Sequence, residues 1–509
     1  MFASVHSVGL LGIDGYMVRV EADLSQGLPG FDVVGLPGAA VRESRDRVRS
    51  AIKNTGFSYP VSRITVNLAP ADVKKEGSVY DLPLYLALLQ AGGQWKADLH
   101  DCAFIGELSL TGELQPIRGV LPMVIAARDH GMRRIVVPAA NAAEGAVVTG
   151  IEVYAVSHVR ELLPFLTGDT VLEPVHTLPE EPTAAAPAED FCDVMGQPMA
   201  RRAMEIAAAG MHNILLIGPP GAGKSMLAKR LPSILPDMTT QEALDATKIH
   251  SIAGTLPSGI GILRQRPFRA PHHNVSAPGL AGGGSTPRPG EVSLAHNGVL
   301  FLDELPEFSR QAMECLRQPL EDEKVTISRV SGTLCFPCSF MLVAAMNPCP
   351  CGYFGHPTRA CTCTSTAASS YLARISGPLL DRIDLHVEVP PVEYEQLAGG
   401  QKAESSAAIR QRVNAARAVQ QRRFEGTGIP GNAQIPAGRL HEFCPLTPAA
   451  DAVLHAAFDK MGLSARTYDR LLKVARTIAD LAGSDVIDVE HISEAVQYRS
   501  LDRKYWTAR

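Results

Sequence analysis

Apolar positions along this chain fall in two styles. The runs 214–217, 299–302 and 340–345 are continuous and of strand length, as expected of strands buried on both faces of a parallel sheet. Helical segments separate them, so residues 191–393 read as a doubly wound α/β core. Upstream, residues 1–167 mix short β-like runs (33–35, 64–68, 135–138, 151–156) with helical ones (41–54, 82–91, 121–130), which predicts an α+β domain. Residues 168–190 are rich in Pro, Ala, Thr and acids with no period and read as a linker. Over 394–509 the period is helical (403–423, 448–460, 464–481, 489–500), which predicts an all-helical C-terminal domain.

Chemistry enters first at Gly218-Pro219-Pro220-Gly221-Ala222-Gly223-Lys224-Ser225, which follows one of the buried strands and precedes a helix. That is the context of a phosphate-binding loop: glycines turn backbone N–H groups toward a nucleotide's phosphates, Lys224 adds a mobile cation and Ser225 offers a hydroxyl to Mg²⁺. The run 298–302 ends in Asp303 and Glu304. On the strand beside such a loop, Asp303 fits the Mg²⁺ shell and Glu304 is placed to polarise a water for attack on the γ-phosphorus. Asn347, after the run 340–345, could orient the same water. ATP and Mg²⁺ are therefore the expected cofactors.

Composition narrows the class. Of 509 residues, 46% are hydrophobic and 20% charged, as in an ordinary globular protein, and the length suggests about three domains. No apolar run approaches the ~20 residues of a membrane helix and no signal peptide is evident, so a cytoplasmic location without membrane contact is expected. The net charge of −5 argues against a basic shell wrapping nucleic acid but leaves room for a basic pore. Six of the ten cysteines, Cys335, Cys338, Cys349, Cys351, Cys361 and Cys363, crowd one stretch, which favours a local metal site over a disulfide framework. Cys349-Pro350-Cys351 and Cys361-Thr362-Cys363 offer four thiolates to tetrahedral Zn²⁺, with reduced buried thiols as the alternative. Cys335 and Cys338 form a second candidate pair, and His356 is an outside candidate.

The P-loop, Asp303-Glu304, Asn347 and the helical C-terminus together resemble an AAA+ ATPase. The stretches Pro267-Phe268-Arg269-Ala270-Pro271-His272-His273, Pro289-Gly290-Glu291-Val292-Ser293-Leu294-Ala295-His296-Asn297-Gly298 and Ser376-Gly377-Pro378-Leu379-Leu380-Asp381-Arg382-Ile383-Asp384 resemble its magnesium-chelatase-like branch, and within that the ComM/YifB family. The resemblance implies a homo-oligomeric ring, usually a hexamer, with ATP at subunit interfaces. Arg382 matches the family's arginine finger, with Arg374 in reserve, and Arg466 matches the sensor-2 arginine of the helical lid. Residues 251–290 resemble an insertion that points into the ring's pore. Residues 324–339 alternate β-formers around Ser331-Gly332 and read as a hairpin. In related ring helicases such a hairpin touches the nucleic-acid backbone, here through Lys324 and Arg329.

The stretches 75–83, 106–110 and 116–119 resemble the proteolytic domain of Lon-type proteases. Val79 stands at the nucleophile's position and Leu121 at the lysine's, with Ser78 adjacent, so the Ser/Lys dyad is missing and a non-proteolytic scaffold is expected. The family resemblance implies an ATP-driven motor on single-stranded or branched DNA, a branch-migration helicase supporting recombination in natural transformation, with recombination proteins as partners. The alternative is a chelatase-type or chaperone-like ATPase that remodels a protein.

Overall fold

Alternation of apolar and polar residues in Phe2–Leu11 and Asp14–Ser25 produces a long antiparallel pair that turns through Gly12 at φ 66° and buries Val5, Val8, Val18 and Val20. In this computed structural model, which describes residues 1–176, 189–284, 287–329, 332–356, 358–392, 403–501 and 505–506, that pair lies at the middle of a seven-stranded sheet. The order is Gly30–Val34, Arg63–Ala69, Asp14–Ser25, Phe2–Leu11, Cys102–Phe104, Arg134–Pro138, Glu152–Val156, partly antiparallel and partly parallel. Helix Asp81–Ala91 is apolar on nearly every side and is buried along nearly its whole length. Its buried Asp81 accepts hydrogen bonds from Arg47 Nε at 2.6 Å and the Leu108 N–H at 3.2 Å. Only the ends of the expected linker, 168–176 and 189–190, are among the described residues.

Of the described residues, those within Met1–Thr183, Leu244–Leu263 and Ser328–Cys335 form one compact unit. Those within Ala184–Ala243, Arg264–Ile327 and Phe336–Arg509 form the other. The expected insertion 251–290 is thereby divided. Leu244 packs into the first unit's apolar cluster, the Ser251 hydroxyl donates to the buried Glu144 carboxylate, and the Ser251 carbonyl accepts from the Gly119 N–H at 3.2 Å. These contacts build the insertion's first part into the N-terminal unit.

The second unit holds a five-stranded parallel sheet in the order Phe268–Arg269, Gly298–Leu302, Phe340–Met346, Ile214–Ile217, Leu385–Glu388. Every residue of the three middle strands is buried, as their unbroken apolar runs predict. Helices Ser406–Arg423, Pro448–Met461, Ala465–Leu481 and Val489–Gln497 supply the helical C-terminal part, and Val413, Leu454, Leu471, Ile478 and Ile492 share one apolar cluster with Ile214 and Leu216 of the sheet. Among the described residues no helix is long and apolar enough to cross a membrane.

A buried polar network joins the sheet to the C-terminal helices. His212 lies 3.2 Å from Asp384 and 2.7 Å from the Thr477 hydroxyl, and Arg470 also pairs with Asp384. Burial opposes ionisation of Asp384, but Arg470 and His212 outweigh it and hold the carboxyl well below the usual carboxylate range. Because the folded value is depressed, this stabilisation is complete above about pH 4 and is lost as pH falls below that. Asp384→Ala leaves the cation without its partner and is expected to cost about 3 kcal/mol in urea unfolding at pH 7, with the difference from wild type shrinking in acid; an equal midpoint at pH 7 would contradict the network's role.

Candidate functional site

Three strand ends build the site. Ile214–Ile217, Gly298–Leu302 and Phe340–Met346 run parallel and release their chains at the same edge of the sheet. Packing on both faces fixes these strands, so the residues that follow are delivered with little freedom.

From Ile217 the chain enters the glycine loop. A Cβ at Gly218 would sit 2.2 Å from the Val389 carbonyl oxygen, so only glycine lets the backbone pass there. Gly221 and Gly223 take φ of 80° and 91°, and Gly223 opens helix Lys224–Arg230. The buried Gln197 side chain donates to the carbonyls of Pro390 at 2.6 Å and Ala222 at 3.5 Å, tying the loop to the segment after the last strand. The sequence reading had missed this residue; the polar Gln197 just ahead of Pro198, which begins a helix, was the available signal.

Lys224 is buried and donates to the carbonyls of Gly218 at 2.7 Å and Pro219 at 2.9 Å and to Asn347 Oδ1 at 3.1 Å. Burial pushes its ammonium down to about 8, against the opposing pull of Asp303 and Glu304. All three acceptors are neutral, so charged phosphate oxygens would displace them. The Ser225 hydroxyl donates to Asp303 Oδ2 at 2.7 Å, which puts the two hard oxygens that suit Mg²⁺ at one point. Lys224, Ser225, Asp303 and Asn347, chosen from three separate stretches of sequence, are thus brought together.

Glu304 follows directly, with its N–H on Asp303 Oδ1 at 3.0 Å and its backbone left-handed at φ 52°. That conformation costs a non-glycine residue on the order of 1–3 kcal/mol and aims the carboxylate outward. Its Oε2 lies 3.5 Å from His273 Nδ1, and His273 sits against His272 and Phe308. His273 was quoted only as part of a motif; its approach to Glu304 follows from the pairing of Phe268 with Val299, which aligns the two strand ends.

The three arginines are placed differently. Arg382 is buried, donates to the Pro378 carbonyl and pairs with Glu321 of its own chain. Its carbonyl accepts from Asn213 Nδ2 at 3.0 Å and Arg470 at 3.2 Å. Arg374 is more exposed and pairs with Glu307 at 3.0 Å. Arg466 is exposed in the first turn of Ala465–Leu481. Among the described residues no hydrogen bond or ion pair links Arg382 or Arg466 to the side chains around the glycine loop.

The hairpin is present as strands Lys324–Arg329 and Gly332–Pro337, with Val325, Ile327 and Phe336 buried. Lys324 is exposed but opens the first strand, next to the Cys338 N–H to Glu323 carbonyl bond at 2.8 Å that closes the base. The turn at 330–331 and the side chain of Arg329 lie outside the described residues.

Cys349, Cys351, Cys361 and Cys363 converge, with all four sulfurs within 4.8 Å of one another. Sulfur separations of 3.4, 3.5 and 3.7 Å match the edge of about 3.8 Å for a tetrahedron with Zn–S bonds of about 2.3 Å and are far beyond a disulfide bond. The Cys351 thiol is drawn down to about 5, chiefly by the Tyr353 backbone N–H. Neither Cys335, which is exposed, nor Cys338 or His356 joins this group. In the N-terminal unit, Val79 and Leu121 are buried apolar residues and the Ser78 hydroxyl donates to Glu107.

Family profiles match nearly end to end. Residues 190–397 match magnesium chelatase subunit ChlI, 20–141 match the profile for subunit ChlI of Mg-chelatase, and 403–499 match the ChlI C-terminal profile. YifB of Escherichia coli (strain K12), an uncharacterized protein, is 44% identical over 505 residues, 98% of this chain and 97% of its own. Competence protein ComM of Haemophilus influenzae is 43% identical over 507 residues, 98% of each chain. Lon protease of Mycolicibacterium smegmatis is 26% identical over 190 residues, 35% of this chain and 23% of the protease. Likeness of that extent, running through the glycine loop, the Asp303-Glu304 strand and the C-terminal helices, makes this chain a member of the magnesium-chelatase-like AAA+ family that includes ComM and YifB.

Proposed function

We propose that this chain is the ATPase subunit of a ring-shaped, hexameric motor of the ComM/YifB type that works on single-stranded or branched DNA in the cytoplasm, as a branch-migration helicase supporting recombination in natural transformation. The observation that carries the reading is the joined constellation of Lys224, Ser225, Asp303 and Asn347 at the sheet edge, with Glu304 held just beyond it. The loop amides and Lys224 would bind the phosphates, and Ser225 with Asp303 would hold Mg²⁺, which would neutralise charge developing on the phosphate oxygens. Glu304 takes the proton of the attacking water and Asn347 orients that water. His273, 3.5 Å from the Glu304 carboxylate, is placed to orient it. Arg382 is assigned to the neighbour's γ-phosphate, which requires it to leave Glu321; Arg374, more exposed, is the reserve. Arg466 closes the lid over the nucleotide.

Full-length likeness to a protein named for competence supports DNA as the track. Lys324 and Arg329 are the backbone contacts this reading assigns, and recombination proteins are its natural partners. The chelatase profiles favour a second reading, a remodelling ATPase that acts on a protein. The four cysteines are read as a structural zinc site.

Two experiments check the proposal. Lys224→Ala is expected to abolish ATP binding, while Glu304→Gln retains it and lowers turnover by ~10²-fold or more; normal turnover in the latter removes Glu304 from the chemistry. The ATPase rate is expected to rise with single-stranded or forked DNA, with binding that weakens as salt increases. A rate indifferent to DNA, together with no salt-dependent binding, favours the protein-remodelling reading.

A further inference from the structure

The four-cysteine loop lies against the nucleotide site. Asn347, which accepts from Lys224, is two residues ahead of Cys349. The chain then passes through buried Cys349 and turns, with the Gly352 N–H on the Cys349 carbonyl at 3.0 Å and Gly352 at φ 84°. At Gly352 the loop meets the phosphate loop directly: a Cβ there would lie 2.4 Å from Pro220 Cδ and 2.7 Å from Cγ. Contact that close exists only because residue 352 has no side chain. Beyond it, a cavity of about 410 Å³ separates the two loops, lined by Gly218 and Pro219 on one side and Phe354 and His356 on the other. Side-chain packing therefore does not fill the space between them.

Between Cys349 and Cys363 the described residues form no strand or helix, and Phe354 and most of residues 358–362 are exposed. Such a segment has few apolar contacts with which to hold a fixed course. Arg359 reaches back to Tyr353 at 2.6 Å and His356 accepts from the Thr358 and Arg359 N–H groups, but the two ends of the loop are drawn together at the sulfur cluster, in which Cys363 also accepts the Cys351 N–H at 3.4 Å. A cross-link through these sulfurs removes the freedom of the loop between them and fixes where Gly352 sits.

We infer that a thiophilic divalent cation, zinc, bound by Cys349, Cys351, Cys361 and Cys363 positions the phosphate loop by pressing Gly352 onto Pro220, so that metal loading sets the affinity for ATP. This rests on the zinc reading given above. The cysteines are positioning residues: they touch neither phosphate nor water and act through Pro220 and through the chain leading from Asn347.

The test measures metal content and the affinity for a fluorescent ATP analogue on the full chain, purified under reducing conditions and assayed with excess Mg²⁺. Wild type is expected to hold one zinc per chain. Removing it with a thiophilic chelator, or by Cys351→Ser or Cys361→Ser, is expected to raise Kd about tenfold, and zinc returned to the stripped wild type restores it. Gly352→Ala keeps the zinc but weakens binding several-fold. In a Pro220→Ala background, where the ring it would strike is gone, the same substitution has a markedly smaller effect, which separates the contact from the backbone strain of alanine at this φ. Zinc present with Kd unchanged on its removal, or an effect of Gly352→Ala that Pro220→Ala does not relieve, overturns the inference and leaves the zinc reading standing. Absence of metal from the reduced wild type overturns both.

Discussion

Two hydrogen bonds organise the candidate site, Lys224 to Asn347 at 3.1 Å from the neighbouring strand and Ser225 to Asp303 at 2.7 Å from the strand beyond it. Each joins the glycine loop to a residue delivered by a different strand. They exist because the strand before the loop pairs in parallel with Phe340–Met346, which pairs in turn with Gly298–Leu302. A slip of one residue in either register would turn the strand's residues to the opposite face and move its carboxylate or amide away from the loop. The uninterrupted apolar strands that leave no room for such a slip are thus as necessary to the site as the polar residues themselves.

Electrostatics then bears on the ligand proposed for the site. Lys224 is buried and hydrogen-bonded to neutral acceptors, and burial lowers its pKa against the opposing pull of Asp303 and Glu304. In the proposed reading, phosphate would supply counter-charge and Mg²⁺ would complement Asp303 and Glu304. The cation and the polyanion are therefore suited to arrive together. Another charged centre of this unit, Asp384 with Arg470 and His212, is already paired and serves the fold. It also reaches the segment of the proposed finger, because Arg470 holds the carbonyl of Arg382. A shift of helix Ala465–Leu481 would act on the segment that carries the finger candidate.

Much of this was legible in the sequence because the signals were local. The runs 214–217, 299–302 and 340–345 declared fully buried parallel strands, and the residues after each declared a loop, an acid pair and an amide. Arg382 was less legible: its role came from likeness, and its burial against Glu321 depends on residues 61 positions away. The approach of His273 to Glu304 was invisible for the same reason, since sheet pairing rather than spacing creates it. The division of residues 251–290 between two units could not be read either. It depends on contacts with residues distant in sequence, among them the Ser251 hydroxyl with the Glu144 carboxylate and the Ser251 carbonyl with the Gly119 N–H. Among six crowded cysteines, spacing offered several sets of four, and only the folded loop selects Cys349, Cys351, Cys361 and Cys363.

If the oxygens of Ser225 and Asp303 act as one Mg²⁺–ATP site, they are coupled through the ion. A double-mutant cycle of Ser225→Ala and Asp303→Asn, scored on ATP affinity with and without Mg²⁺, tests this directly. The predicted result is a coupling of about 1 kcal/mol or more when Mg²⁺ is present and none when it is chelated. Additive effects in Mg²⁺, or the same coupling without it, would contradict the assignment.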